Sequence, residues 1–171
     1  SIGASLGDIS LEHSLRAGLI GLSAVAIFML VWYNLSGLAA VIALLIYTAV
    51  VLLIFKSISV TLTLAGIAGF ILSIGMAVDA NILIFERTKE ELKSGKNLGA
   101  AIEDGFNRAW PSISDSNASS LITCAILFWM GTSIIKGFAL TLAIGILASM
   151  ISAIAMTRVF LKLMFKSKLA Q

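Results

Sequence analysis

Asp79 is the residue whose type and setting most demand a chemical reason. It follows an uncharged run from 57 to 78 and precedes the apolar stretch Ile82 to Phe85. An ionised carboxylate deep in hydrocarbon costs roughly 2.5 to 3.5 kcal/mol, and acids kept there usually serve ion or proton transfer. On a helix, Asp79 shares a face with Ala68, Leu72, Gly75, Ile82 and Glu86. The opposite face carries Ala65, Gly69, Ser73, Ala77 and Asn81, small residues that let another helix approach closely. Both faces therefore read as packed by protein, which places this segment at the centre of a bundle.

A second segment is complementary. Ser112, Asp115, Ser116, Ser119, Ser120 and Thr123 fall on one side of a helix, with Asn117 at the edge of that stripe. Arg158 closes another uncharged run and is followed by Val159, Phe160 and Leu161. Counted from the span ends, Asp79, the Asn117/Ser119 edge and Arg158 come to one depth, about 10 Å inside. A carboxylate with hydroxyls, an amide and a guanidinium at one level is the chemistry of an ion relay. Asp115 stands close enough to the start of its span to act on the helix N-terminus instead. Lone Cys124 excludes an internal disulfide and a cysteine-cluster metal site, lone His13 reads as an interfacial surface residue, and no metal or cofactor is expected.

The elements that must position these groups follow from composition. The 171 residues are 59% hydrophobic and 12% charged, where a soluble domain carries about a quarter charged residues. The charges leave uncharged runs at 17 to 55, 57 to 78, 116 to 135 and 137 to 157. Since about 20 apolar residues cross a bilayer, the expected fold is all-α, a polytopic bundle of five transmembrane helices at about 17–33, 38–55, 60–85, 112–130 and 137–165. Residues 1–16 form a periplasmic lead-in and 166–171 a cytoplasmic tail. Turns are expected at Asn34-Leu35-Ser36-Gly37, Lys56-Ser57-Ile58-Ser59 and Gly131 to Lys136.

The only long polar loop is 86–110. It divides into a charged stretch, a turn at Ser94-Gly95-Lys96-Asn97 and an amphipathic stretch in which Leu98, Ala101, Ile102, Phe106, Ala109 and Trp110 recur at helical spacing. That stretch is expected on the membrane surface, with Pro111 opening a new helix. Nine Lys and Arg lie on the side of this loop and the C-terminus, against Arg16, Lys56 and Lys136 on the other, so the loop side is cytoplasmic. The net charge of +3 thus reflects topology in a lipid bilayer, with no nucleic acid partner. Ser1 opens the chain with no initiator Met and no signal-peptide pattern, so the sequence reads as a piece of a longer protein.

Gly75 to Leu92, GMAVDANILIFERTKEEL, closely resembles a transmembrane helix of the SecD/SecF family of bacterial protein translocase subunits, within the resistance-nodulation-division superfamily. AWPSISDSNASSLIT is similar to the family's next helix, with Asp115-Ser116-Asn117-Ala118-Ser119-Ser120 standing for the usual Asp-Ala-Asn-x-Thr-Thr. Ile135 to Arg158 resembles the last helix, and SLGDISLEHSL the lead-in to the second. The resemblance implies helices two to six of a six-helix SecD subunit, a large periplasmic domain outside this sequence, and SecF as a partner. It further implies work beside the SecYEG translocon on preproteins in the inner membrane, driven by the proton-motive force, without catalytic chemistry. On this likeness Asp79 is the ion-coupling carboxylate. With the polar residues read above, the ion-coupling set is Asp79, Asn81, Asp115, Asn117, Ser119 and Arg158, and the helix-packing set is Gly69, Ser73, Gly75 and Ala77. Two other readings are weaker. A lipid or drug exporter of the same superfamily fits the wording around Asp79 less well. An intramembrane aspartyl protease built on Asp79 and Asp115 lacks the Gly-x-Gly-Asp motif of such enzymes. The coupling ion, proton or sodium, is open.

Overall fold

The computed structural model describes the backbone of residues 2–60 and 63–168, and side chains within that range except at 2–11, 15, 34, 35 and 156–168. Uncharged runs rich in Leu, Ile, Ala and Val become helices, the form that satisfies its own backbone hydrogen bonds in lipid. The four are α1 (Ile2–Ser57), α2 (Leu64–Lys93), α3 (Leu98–Met130) and α4 (Ser133–Lys168). Gly66 N–H donates to the Thr63 hydroxyl at the start of α2, and Ala100 N–H to the Asn97 side chain at the start of α3. Between them Gly95, at φ +89°, makes the turn.

At 56 residues, α1 would be about 84 Å long if straight, yet it doubles back. A Cβ at Gly37 would overlap the carbonyl of Met29, although residues eight apart in a straight helix are separated by about 12 Å. The reversal expected at 34 to 37 is thus made without leaving helical backbone. The arm Glu12–Tyr33 runs parallel to α2, with Gly18 beside Ile71 and Tyr33 beside Glu86. The arm Ser36–Ser57 returns, bringing Tyr47 to Ser73 and Phe55 to Phe70.

α4 runs parallel to α2, with Thr141 against Gly66 and Gly145 against Ser73. α3 runs antiparallel to both. Gly105 sits on Thr88, Ile113 packs with Ala80, Ile84 and Ala153, and Cys124 packs with Ala139, Leu142 and Ile146. α2 and α4 each touch all three other helices and together form the centre of the bundle.

Residues 86–110 are helical almost throughout, as the expected amphipathic helical loop, with the turn at 94–97. Two expectations around it change. α2 continues to Lys93 and α3 starts at Leu98, so the polar segment is a helical hairpin continuous with the flanking helices. Its amphipathic face closes on α2 at Gly105, Phe106 and Ala109 instead of lying on a membrane surface. Pro111 opens no helix but lies inside α3.

Among the described residues, four stretches are long and apolar enough to cross a membrane: Glu12–Tyr33, Ser36–Ser57, Leu64–Lys93 and Ser133–Ala155. The expected fifth, 112–130, is not among them, because its Ser, Asp and Asn residues lower its hydropathy. It lies alongside α2 and α4 over their apolar length.

Candidate functional site

The small-residue face of α2 is the packing surface expected of it. A Cβ at Gly69 would lie 2.6 Å from Thr141 Oγ1 and 2.7 Å from the Phe138 carbonyl, so α4 approaches backbone to backbone. Thr141, fully buried, donates its hydroxyl to Gly66 O at 2.9 Å. One turn on, a Cβ at Gly145 would overlap Ser73. The Tyr47 hydroxyl lies 2.8 Å from Ser73 Oγ and 3.2 Å from Gly145 O, and its one proton serves these two acceptors. Ser73 in turn donates its hydroxyl to Phe70 O. Ala77 is buried beside Leu44 and Tyr47. Gly75 does not belong with this set. It stands two residues from Ser73, roughly 200° around the helix, and a Cβ there would meet nothing within 4 Å.

Asp79 is on that other face, exposed, and borders two clefts. One, of about 120 Å³, lies between Met76, Asp79, Ala80 and Leu83 of α2 and Ser112, Ile113, Ser116 and Asn117 of α3. The other, of about 360 Å³, lies between Gly75, Val78, Asp79 and Ile82 of α2 and Ala24, Val25 and Phe28 of α1. A water needs only about 10 to 15 Å³ of such space and two or more polar partners. The first cleft offers a carboxylate, two hydroxyls and an amide.

The neighbours of Asp79 differ in part from those expected. Asn117 lines the cleft and is 5% exposed. Ser112 and Ser116 take the place expected for Ser119, which is exposed beyond the cleft wall. The cause is the register set by Gly105 on Thr88 and Ile113 on Ala80. Asp115 is exposed outside both clefts, and because α3 begins at Leu98 it has no helix N-terminus to cap. Asn81 is buried on the small-residue side, two positions around the helix from Asp79. The Arg158 side chain lies outside the described residues. Its backbone is five residues beyond Ala153, which packs with Ala80, and so about 7 Å past the Asp79 level. Among the described residues no cluster of metal-ligating side chains occurs.

The expectation that both faces of α2 are covered fails within this chain. Ala68, Leu72, Gly75 and Asp79 are exposed, as are Ser112, Asp115, Ser116, Ser119 and Thr123 of α3 beside them. Hydrocarbon solvates such a face poorly, which marks it as one for protein or water.

A family described as "Protein export membrane protein SecD/SecF, C-terminal" matches residues 1–167. The chain belongs to the SecD/SecF family. It is 61% identical over 166 residues to protein translocase subunit SecD of Thermobaculum terrenum, covering 95% of this chain and 32% of that protein. It is 55% identical over 161 residues to protein translocase subunit SecD of Synechocystis, covering 94% and 34%. Against the crystal structure of SecDF, a translocon-associated membrane protein from Thermus thermophilus, the TM-score is 0.84 at 40% identity, over 86% of this chain and 21% of that one. The chain thus spans about a third of the length of these SecD relatives, as a multi-pass membrane segment.

In this SecD/SecF family member, three polar groupings were not foreseen. Tyr47 with Ser73 is one. A second is Tyr33, which donates to Glu86 Oε1 at 2.9 Å and stands 5.7 Å from the Phe85 ring. A tyrosine in an apolar span needs a hydroxyl partner, so both were detectable as a question, though not the answer. The third ties the hairpin. Glu91, buried, pairs with Lys96 at 2.7 Å and with Arg108, and Lys96 also meets Asp104 at 2.6 Å. Hydrogen bonds to Asp104, then Glu91, hold Lys96 above its ordinary 10.5.

Proposed function

We propose that this chain is the membrane part of an accessory subunit of the Sec protein-export machinery. It uses the proton-motive force to help preproteins cross or leave the bacterial inner membrane. The observation that carries this reading is Asp79, on a central apolar helix, bordering a cleft that also holds Ser112, Ser116 and Asn117. Loading and unloading of that carboxylate would change the charge between α2 and α3, and the packed α2–α4 pair would pass the change on as movement. The names of the SecD relatives favour protein export over lipid or drug export. The partner for the exposed face of α2 and α3 is SecF, with SecYEG and the preprotein as the larger assembly. By the positive-inside rule the α2–α3 hairpin and the C-terminus face the cytoplasm and the N-terminus the periplasm. No catalytic chemistry is assigned to the chain.

The test is complementation. Cells depleted of the full-length subunit receive it with Asp79, Asp79→Asn or Asp79→Glu. Export that is lost with Asn and retained with Glu, at equal protein level and equal SecF recovery, supports a titrating role. Full export with Asn overturns it.

A further inference from the structure

Glu86 lies seven residues after Asp79, on the same helix face and about 10 Å further along the axis. The 360 Å³ groove walled by Ala24, Val25 and Phe28 of α1 and by Gly75, Val78, Asp79 and Ile82 of α2 surrounds Asp79 and reaches Ile82, about one helical turn short of Glu86. Gly75, with no side chain to fill it, widens the far end. The groove is large enough for several waters, and its apolar walls would bind them weakly. Beyond that end, on the hairpin side, the first arm of α1 finishes with Tyr33, whose hydroxyl donates to Glu86. The Glu86 side chain is 43% exposed, so it meets outside water, and Lys89 at 3.7 Å is the charged group against it. Arg87 is turned to Glu90 instead.

We propose that Glu86 and Tyr33 form the hairpin-side end of the proton path to Asp79. Tyr33 positions the Glu86 carboxylate one turn beyond the Ile82 end of the groove, and Glu86 carries the proton. The proposal rests on the reading of Asp79 as the coupling carboxylate. In the outward step of the relay, Asp79 gives its proton to groove water, which passes it to the Glu86 carboxylate. Glu86 then releases it to bulk water and is again a carboxylate. Tyr33 keeps its own proton throughout.

The test uses the full-length subunit with its partner in vesicles whose lumen is on the hairpin side, with a trapped pH dye reporting gradient-driven proton entry. Glu86→Gln keeps size and can still accept from Tyr33, and is expected to slow the initial rate at least tenfold. Glu86→Asp should recover most of it. Tyr33→Phe keeps the ring beside Phe85 and is expected to slow entry severalfold. A merely structural role would shift the unfolding midpoint of these variants without restoring flux in Glu86→Asp. Wild-type flux in Glu86→Gln, with flux abolished in Asp79→Asn, overturns the relay and leaves the coupling reading standing. Wild-type flux in Asp79→Asn overturns both.

Discussion

Gly145→Ala tests whether α2 and α4 are as close as the structure has them. The new methyl would overlap Ser73 and lie 3.0 Å from the Tyr47 hydroxyl. Ordinary carbon contacts are about 3.5 to 4.0 Å, so the helices must part by about 1 Å or more, or Ser73 and Tyr47 must leave their bond. Overpacking of this kind costs about 1 to 3 kcal/mol. Losing the Tyr47 to Ser73 bond adds roughly 0.6 to 1.7 kcal/mol, the range for hydrogen bonds between membrane helices. The sum, about 2 to 5 kcal/mol, is roughly one to three and a half powers of ten in the unfolding constant. Denaturant titration of the full-length subunit in detergent would read it as a lowered midpoint. Adding Ser73→Gly removes the overlapped atoms and should recover at least half of the loss. An unchanged midpoint in Gly145→Ala, or a double variant no better than the single, would refute the close approach.

Tyr47→Phe keeps the ring in the core formed with Leu44, Val51 and Ala77 and should cost about 0.6 to 1.7 kcal/mol, measurable by the same titration. Gly69→Ala, with Thr141 Oγ1 at 2.6 Å and backbone at 2.7 Å from its new methyl, should lower the midpoint by about 1 to 3 kcal/mol. Gly75→Ala meets nothing within 4 Å and should be neutral or stabilising by up to about 1 kcal/mol, as Ala is the better helix former. The hairpin should be pH-sensitive at the alkaline end of the scale. With its folded pKa raised, Lys96 contributes stability below about pH 10.5 that is lost as pH rises through the folded value. Hydrogen exchange around Ser94 to Asn97, corrected for intrinsic rates, should show protection level below that limit and declining above it.

The helices were legible because lipid forces apolar runs into one secondary structure. The small-residue face of α2 was legible because Gly69, Ser73 and Ala77 recur every fourth position. What period and hydropathy do not encode is register between helices. Ser119 was placed opposite Asp79 by counting from span ends, whereas the contact of Gly105 with Thr88 slides α3 so that Ser112, Ser116 and Asn117 face it. Pro111 looked like a helix start because proline suits the first turn, but packing on both sides of it carries α3 through. The helical loop was legible from the spacing of Leu98, Ala101, Ile102 and Phe106, but not the hairpin that Glu91, Lys96, Asp104 and Arg108 tie together by satisfying one another. Gly75 was assigned to packing by residue type alone, and its direction around the helix sets it on the open face.

The central claim is that Asp79 couples an ion gradient to export. The most direct test is preprotein translocation in reconstituted vesicles, with and without an imposed proton gradient, using the full-length subunit with Asp79 or Asp79→Asn. The gradient should accelerate export with Asp79 and have no effect with Asn, while folding and SecF association persist. Equal acceleration in both would contradict the claim and leave Asp79 a structural anchor.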